Sequence, residues 1–331
     1  MATPPSESIL PQADYTAAHE TAVLLDRSAE GRLILTGRDR LAILHRISTN
    51  DVEQLPPGVG RATVLTTPIG RIIDRVIAHH LSGERVLLRT GPGRAEAIAA
   101  YLRRNIFFRD KLHVQDVSAA LAQFALYGPL ADTVAAAFAS GIASLPLHGV
   151  IEAQFQGAPL LILRLDRLST AGIGLIVPVE HAPALRQAAL TAGAAHGLRA
   201  AGDALYDLLR IEAGMPGLPE LNEQYIPLEA GLWDDVSFSK GCYTGQEIIA
   251  RLESRGRLAK TLVGVELSGP VTGGTAWEAE GRRQGELTSA AALPDGRRIG
   301  LGFVRPDLAA PGRILTLDGG GEAVIRLTHG R

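Results

Sequence analysis

Short apolar runs bounded by glycine, proline and polar turn residues recur along the chain, and this pattern predicts β-strands. A strand, a turn of small residues and a helix follow one another at 85–106 and again at 172–194, which predicts two related α+β units. The predicted strands are 32–37, 62–67, 71–81, 85–90, 158–165 and 172–179, and the predicted helices are 39–46, 95–106, 130–141 and 182–194.

The pattern changes after about residue 258. Strand-like segments separated by glycine-rich turns follow one another there without a helical period, which predicts a small antiparallel barrel or sandwich. Before residue 20 the chain is polar and contains Pro4, Pro5 and Pro11, so a loose leader is expected. We therefore divide the chain into a leader, an α+β module of two interleaved units and a β domain, at residues 1–20, 21–255 and 256–331.

Composition narrows the classes of function. The chain has 331 residues, of which 46% are apolar, and a formal net charge of −2, which argues against a dedicated nucleic-acid binder. The single cysteine excludes an intrachain disulfide and a thiolate metal site made by this chain alone, so no metal is expected. The polar start lacks the features of a signal peptide, and residues 133–147 are too few to span a membrane. We expect a cytoplasmic protein.

The single cysteine, Cys242, follows Lys240, one of only three lysines in the chain, by two residues. The residues after it have a helical period, and Thr244 and Glu247 have the spacing of a capping box. A helix N-terminus and a nearby lysine both lower the pKa of a thiol, so Cys242 is a candidate reactive thiolate. A lone cysteine is more often a small buried apolar residue. The neighbouring Gly241 and the other motif residues make the two interpretations about equally supported.

The octapeptide Lys240–Glu247 resembles the signature of the YgfZ family, folate-binding proteins related to the T-protein (aminomethyltransferase) of the glycine cleavage system. Four other segments resemble the family in order and spacing, so the resemblance covers nearly the whole chain. These segments are 48–52, 70–74, 210–216 and 227–232.

The resemblance implies an α+β fold in which two α+β units and a C-terminal antiparallel β-barrel form a ring around an opening for tetrahydrofolate or a one-carbon derivative. It also implies an accessory role in assembling or repairing iron–sulfur clusters, with an indirect effect on tRNA modification, and not conventional enzymatic turnover. The expected partners are folate and iron–sulfur client or assembly proteins, with no direct nucleic acid and no membrane. We expect a monomer.

The resemblance assigns the thiol chemistry to Cys242 and Lys240. The thiol either supplies one ligand to a transient cluster or acts as a redox group, and the sequence leaves both open. The expected cofactor-binding residues are Asp51, Asp74, Arg210, Glu212, Glu229, Gly241, Tyr243, Gly245, Gln246 and Glu247.

The chain departs from T-proteins at two positions. Where T-proteins carry an acidic pair after a glycine turn, this chain has Asp74 and Arg75. Where they carry a glutamate that binds the pterin, this chain has Gly174. A carboxylate would give the pterin a charge-assisted bond, so its loss weakens the expectation of T-protein-like folate binding. Both departures argue against the alternative function, a tetrahydrofolate-dependent aminomethyltransferase.

Overall fold

The structure, a computed structural model, describes residues 11–168, 170, 172–256, 258–269, 274–279, 282–318 and 320–328. Its α-helices are α1 (Gln12–Glu20), α2 (Arg40–Ile47), α3 (Ala95–Arg104), α4 (Ala131–Ala135), α5 (Ala182–Gly193), α6 (Asp203–Glu212) and α7 (Gln246–Arg255). Its strands are β1 (Val23–Asp26), β2 (Glu30–Thr36), β3 (Gly60–Thr66), β4 (Ile72–Leu81), β5 (Arg85–Pro92), β6 (His113–Asp116), β7 (Leu121–Tyr127), β8 (Val150–Phe155), β9 (Ala158–Leu165), β10 (Gly172–Pro178), β11 (Arg199–Ala201), β12 (Thr261–Leu267), β13 (Ala276–Ala279), β14 (Arg282–Ala292), β15 (Arg298–Val304), β16 (Ile314–Leu317) and β17 (Glu322–Thr328). None of the described helices combines the length and apolar character needed to cross a membrane.

The first unit is a five-stranded sheet with the order β3–β4–β5–β2–β6, in which all neighbours are antiparallel. Helices α2 and α3 pack on it through fully buried side chains such as Ile43, Leu44 and Ile98, against Leu33 and Leu35 of β2. Burying such side chains gives about 1.5–3 kcal/mol each, which holds the helices on the sheet.

The second unit is a six-stranded sheet with the order β11–β1–β7–β10–β9–β8. Strand β1 pairs antiparallel with β7 and parallel with β11, although β2, the next strand in sequence, belongs to the first sheet. The strands of the two α+β units are therefore interleaved along the chain.

The C-terminal unit is a closed six-stranded barrel with the order β12–β15–β14–β13–β16–β17 and antiparallel pairing. Its centre holds the fully buried Trp277, whose indole N–H donates to the carbonyl of Phe303 at 2.9 Å. The donated bond satisfies the ring's only polar group inside the apolar core. This barrel and the two α+β units confirm the predicted fold class.

The structure corrects the expected leader. Residues 12–20 form helix α1, with Ala17 and Ala18 buried, and Tyr15 donates to Glu212 of α6 at 2.6 Å. The loose-leader prediction is therefore wrong for these residues, because tertiary contacts order a segment with little apolar content. Residues 1–10 lie outside the described residues.

Two local predictions also differ from the structure. The helix expected at 130–141 ends at Ala135, and Gly141 has a φ of 82°, a left-handed conformation outside a helix. The helix expected at 39–46 begins at Arg40, and Asp39 just before it makes no side-chain capping bond. The carboxylate instead accepts the backbone N–H of Lys111 at 2.8 Å, so it joins two loops.

Candidate functional site

A cavity of about 580 Å³ lies between residues of the two sheets, and we call it the central cavity. Its wall combines segments that are far apart in sequence: the start of β3, the middle of β4, the end of β9, the turn after α6 and the segment 230–235. The lining residues are Asn50, Val59, Gly60, Arg61, Ala62, Arg75, Leu147, His148, Asp166, Ala213, Gly214, Met215, Pro216, Ala230, Gly231, Leu232, Asp234 and Asp235.

The dominant polar feature of the central cavity is an ion network around Arg75. Two guanidinium nitrogens donate to the two oxygens of Asp166, both at 2.9 Å, and Nε donates to Oδ2 of Asp235 at 2.6 Å. The side chains of Arg75 and Asp235 are 12% and 9% exposed. Burial alone would raise the pKa of Asp166, but the Arg75 guanidinium holds it well below its usual range. Arg75 and Asp166 are therefore charged at neutral pH.

His148 adds a neutral polar group to the same wall. Its Nε2 lies 3.7 Å from Asp166, and its buried Nδ1 has no hydrogen-bond partner among the described residues. Burial lowers the pKa of His148, with the nearby Arg75 acting in the same direction and Asp166 opposing it. His148 therefore contributes an uncharged ring to the cavity wall, with its Nδ1 buried.

Asp74, a predicted cofactor-binding residue, does not line the central cavity. Successive side chains of a strand point to opposite faces, so β4 directs Arg75 into the cavity and Asp74 away from it. Asp74 is 1% exposed, and its Oδ2 lies 3.7 Å from Nε of Arg94. Burial raises the pKa of Asp74 to about 6, although Arg94 and the backbone N–H groups of Arg75 and Gly91 oppose the shift.

Lys240 anchors the start of the octapeptide to the loop after α2. Its ammonium group donates to the carbonyls of His45 at 2.5 Å, Ser48 at 2.8 Å and Asn50 at 2.8 Å. A lysine has three N–H donors, so these bonds use all of them. Burial lowers the pKa of Lys240 to about 8, with Asp51 opposing the shift. In this structure the lysine holds two loops together, and its predicted role beside the thiol stays a prediction.

The second half of the octapeptide packs on the turn between β3 and β4. Thr66 donates through its hydroxyl to the carbonyl of Thr244 at 2.6 Å. Gly245 has a φ of +84°, and a Cβ there would lie 2.7 Å from the carbonyl oxygen of Thr67 and 2.9 Å from Cα of Gly70. Only glycine fits this conformation and this close approach.

The helix after the octapeptide begins at Gln246 with Gly245 as its N-cap, and no side chain caps it. The capping box predicted for Thr244 and Glu247 is therefore wrong: the chain reverses in a left-handed glycine just before the helix. Gln246 is half-buried, and Glu247 is exposed and pairs with Arg251 at 2.8 Å.

The residues between these two anchors differ in exposure. Cys242 and Gly241 are exposed, and nothing lies within 4 Å of a Cβ placed at Gly241. Tyr243 is buried in an apolar cluster that includes Val236 and Ile249, and its ring lies 5.1 Å from the Lys240 ammonium. The interpretation of Cys242 as a buried apolar residue is wrong, because the structure exposes the cysteine.

Asn50 connects the octapeptide to the central cavity. Its carbonyl accepts from Lys240, its side-chain amide donates to the carbonyl of Asp234 at 2.9 Å, and it lines the cavity itself. The adjacent Asp51 is directed elsewhere: its side chain is 49% exposed and lies 3.2 Å from Nδ1 of His45. The cysteine loop is thus tied to the cavity wall through two side chains.

The remaining predicted residues do not line the central cavity. Arg210 pairs with the fully buried Glu220 at 3.1 Å and donates to Ser289 of the barrel at 3.0 Å, so it joins α6 to the barrel. Glu212 contacts α1, and its Oε2 lies 3.0 Å from His19.

Glu229 is buried, and its Oε2 accepts the backbone N–H of Ile226 at 3.2 Å. Burial raises its pKa, with Arg71 among the opposing groups. Glu229 lies next to the barrel, because its backbone carbonyl accepts a hydrogen bond from the N–H of Leu262 at 2.8 Å.

Sequence reasoning missed Asp166, Asp235, His148 and Asn50 as cavity residues. Asn50 is adjacent in sequence to the predicted Asp51, so the prediction selected the correct segment but not the residue that lines the cavity. The others have no motif around them, and only the meeting of separate segments makes them neighbours of Arg75.

Comparison with known proteins shows to which family this chain belongs. Residues 8–240 match the GCVT N-terminal domain. A putative chloroplastic transferase of Arabidopsis thaliana is 32% identical over 299 residues, which are 89% of this chain and 68% of that protein. An aminomethyltransferase of Geobacillus kaustophilus is 31% identical over 312 residues, 92% of this chain and 85% of that protein.

The crystal structure of the glycine cleavage system aminomethyltransferase T from Bartonella henselae has the same fold. It superposes with a TM-score of 0.82 and 23% identity, covering 96% of this chain and 88% of that one. The T-protein-like fold is thereby confirmed. The chain belongs to the family defined by the GCVT N-terminal domain.

Proposed function

We propose that this chain is a folate-binding accessory protein of the YgfZ type, which assists the assembly or repair of iron–sulfur clusters in client enzymes. The observation that carries the proposal is the pairing of two features. Arg75 lines the central cavity at the sequence position that matches one member of the T-protein acidic pair, and three of its five N–H groups donate to Asp166 and Asp235. The exposed Cys242 lies on a loop tied to the wall of the same cavity.

Tetrahydrofolate fits the residues of the central cavity. A volume of about 580 Å³ lies in the range of small-molecule sites, which are about 300–1,000 Å³. The carboxylates of Asp166 and Asp235 offer polar contacts to a nitrogen-rich ring. When bound, tetrahydrofolate supplies a reduced ring that carries one-carbon units. The chain's own residues bind and orient that ring and keep it partly shielded from water.

Cys242 is the chemically active group of the proposal. The sequence contains one cysteine, so this chain supplies at most one thiolate, and a cluster held here takes its remaining ligands from a client or assembly protein. The alternative is thiol redox chemistry with the client, which needs the same exposure. Both versions require Cys242 at the surface, where a partner can reach it.

Aminomethyl transfer is less well supported for this chain. Several similar proteins carry the name aminomethyltransferase, among them those of Geobacillus kaustophilus and Bartonella henselae. Here, one member of the T-protein acidic pair is replaced by Arg75, whose guanidinium lines the cavity, and the remaining acid, Asp74, does not line it. An arginine has no acceptor and stays protonated, so it cannot act as a general base.

Complementation tests the proposal. In host cells from which the corresponding gene has been removed, we expect this chain to restore enzymes that depend on four-iron clusters, with a cluster-free enzyme as control. The purified chain should bind tetrahydrofolate in a direct titration. Rescue of glycine cleavage without rescue of the cluster enzymes would overturn the proposal in favour of aminomethyl transfer.

A further inference from the structure

The second sheet leaves little room for a side chain at Gly174, the position that matches the pterin-binding glutamate of T-proteins. A Cβ at Gly174 would lie 3.1 Å from Cδ2 of Leu165 and 3.4 Å from Cβ of Leu163. The contact with Leu165 is tighter than an ordinary van der Waals distance, so a longer side chain at Gly174 would displace that leucine. Gly174 is also absent from the residues that line the central cavity. An acceptor for a ring bound there has to come from another part of the chain.

The central cavity offers such acceptors in Asp166 and Asp235. Arg75 uses three of its five N–H groups on them, and each oxygen of Asp166 accepts only one of these bonds. Oδ1 of Asp235 accepts no hydrogen bond from any described residue, although the side chain is only 9% exposed. A carboxylate oxygen accepts two bonds, so the pair retains several free acceptor positions inside the cavity.

The charge of the network fits a ligand with N–H donors. Three acids, Asp166, Asp234 and Asp235, line the cavity together with two arginines, Arg61 and Arg75, and His148 is neutral because burial lowers its pKa. The cavity wall around Arg75 therefore has an excess of negative charge and of acceptors. The 2-amino group and the ring N–H groups of a reduced pterin are donors of the matching kind, and a bond from them to a carboxylate is charge-assisted.

We propose that Asp235 and Asp166 form the acceptor pair that binds the N–H edge of the pterin ring, and that Arg75 is a positioning residue that holds both carboxylates in place. This inference rests on the proposed function, because it assigns the ring of the folate to the central cavity. In this chain, two acids that belong to no recognised motif would bind the ring, in place of the glutamate that T-proteins carry at the position of Gly174.

The Asp235→Asn variant tests the acceptor directly. Its amide oxygen can still accept from Arg75, which turns the amide nitrogen toward the position of Oδ1 and replaces an acceptor by a donor. Loss of a hydrogen bond to a charged group weakens binding by roughly tenfold to a hundredfold. The purified full chain is titrated by calorimetry with tetrahydrofolate, with 6-methyltetrahydropterin as the isolated ring, and with p-aminobenzoylglutamate as the isolated tail.

A matched control comes from the same sheet. Arg164 of β9 makes a two-bond pair with Asp132, at 2.5 and 2.9 Å, away from the central cavity. Asp132→Asn therefore removes a similar Arg–Asp pair without touching the proposed acceptors. For the positioning role, Arg75→Met should weaken binding of the ring, Arg75→Lys should restore part of it, and neither should change binding of the tail.

The expected result is a loss of at least tenfold in affinity for tetrahydrofolate and for the isolated ring in Asp235→Asn, with tail binding and the Asp132→Asn control unchanged. Unchanged affinity for the ring in a folded Asp235→Asn protein overturns the inference and leaves the proposed function standing. Equal loss of affinity for the ring and for the tail also overturns the inference, because Asp235 would then maintain the shape of the cavity without binding the ring. Wild-type protein that binds no tetrahydrofolate overturns both.

Discussion

Asp74 is a buried acid whose protonation should control the stability of the first sheet. It is 1% exposed, and burial raises its pKa from the usual 3.8 to about 6. One oxygen, Oδ2, has no hydrogen bond from any residue that the structure describes, and it lies 3.7 Å from Nε of Arg94. Replacing Asp74 by asparagine keeps the shape and the carbonyl-type acceptor but removes the titration.

The shift of the Asp74 pKa determines how much, and in which direction, the free energy of unfolding changes with pH. Because the folded pKa is the higher one, the folded protein holds a proton at pH 4–6 that the unfolded chain has lost. Asp74 thus contributes stability that is fully present below pH 3.8 and is lost as the pH rises through about 6. At about 1.4 kcal/mol per pKa unit, the free energy of unfolding of the wild type should fall by about 2.5 kcal/mol relative to Asp74→Asn between pH 4 and pH 8.

Urea unfolding of both proteins at intervals from pH 4 to pH 8 measures this difference. A constant offset between the two proteins does not matter, because the prediction concerns the change with pH. Glu180→Gln, which alters an exposed carboxylate, should run parallel to the wild type. A difference between Asp74→Asn and the wild type that stays constant over this range would refute the reasoning, since Asp74 would then be ionised and hydrated like a surface acid.

Two further predictions concern the octapeptide. Gly245→Ala should lower the free energy of unfolding by more than about 1 kcal/mol, because its Cβ would meet backbone atoms at 2.7 and 2.9 Å. Gly241→Ala is the control: its Cβ has open space, so the free energy of unfolding should change by less than about 1 kcal/mol. Equal effects of the two substitutions in thermal denaturation would contradict the packing described. Lys240→Met should cost about 2–4 kcal/mol in urea unfolding, because three carbonyls lose a charged donor. The wild type should also gain stability as the pH rises from about 8 toward the usual lysine value of 10.5, a gain that Lys240→Met should lack.

Much of the fold follows from local pattern. The apolar runs at 62–67, 71–81 and 85–90 are strands in the structure because each covers a buried face of the first sheet. Helix α1 escaped prediction because its buried residues are two alanines, which give a weak apolar signal. The pairing of β1 with β7 could not be derived either, since it joins strands about 100 residues apart and depends on tertiary packing.

The site was predictable only in part. The octapeptide is a local motif, so its residues could be selected from the sequence, and the structure shows which of them anchor it. Arg210 and Glu229 belong to conspicuous segments, but their side chains serve the contacts with the barrel region. Asp166 and Asp235 become neighbours only because β4, the end of β9 and a loop converge on Arg75. No spacing in the sequence encodes that meeting point.

The proposed function depends most on the thiol of Cys242. The most direct measurement compares wild type and Cys242→Ser in cells that lack the gene, by the activity of enzymes that contain four-iron clusters, alongside tetrahydrofolate affinity and melting temperature of the two purified proteins. Because Cys242 is exposed, the variant should keep its fold and its folate binding and lose the cellular activity. Full activity of Cys242→Ser in those cells would contradict the account.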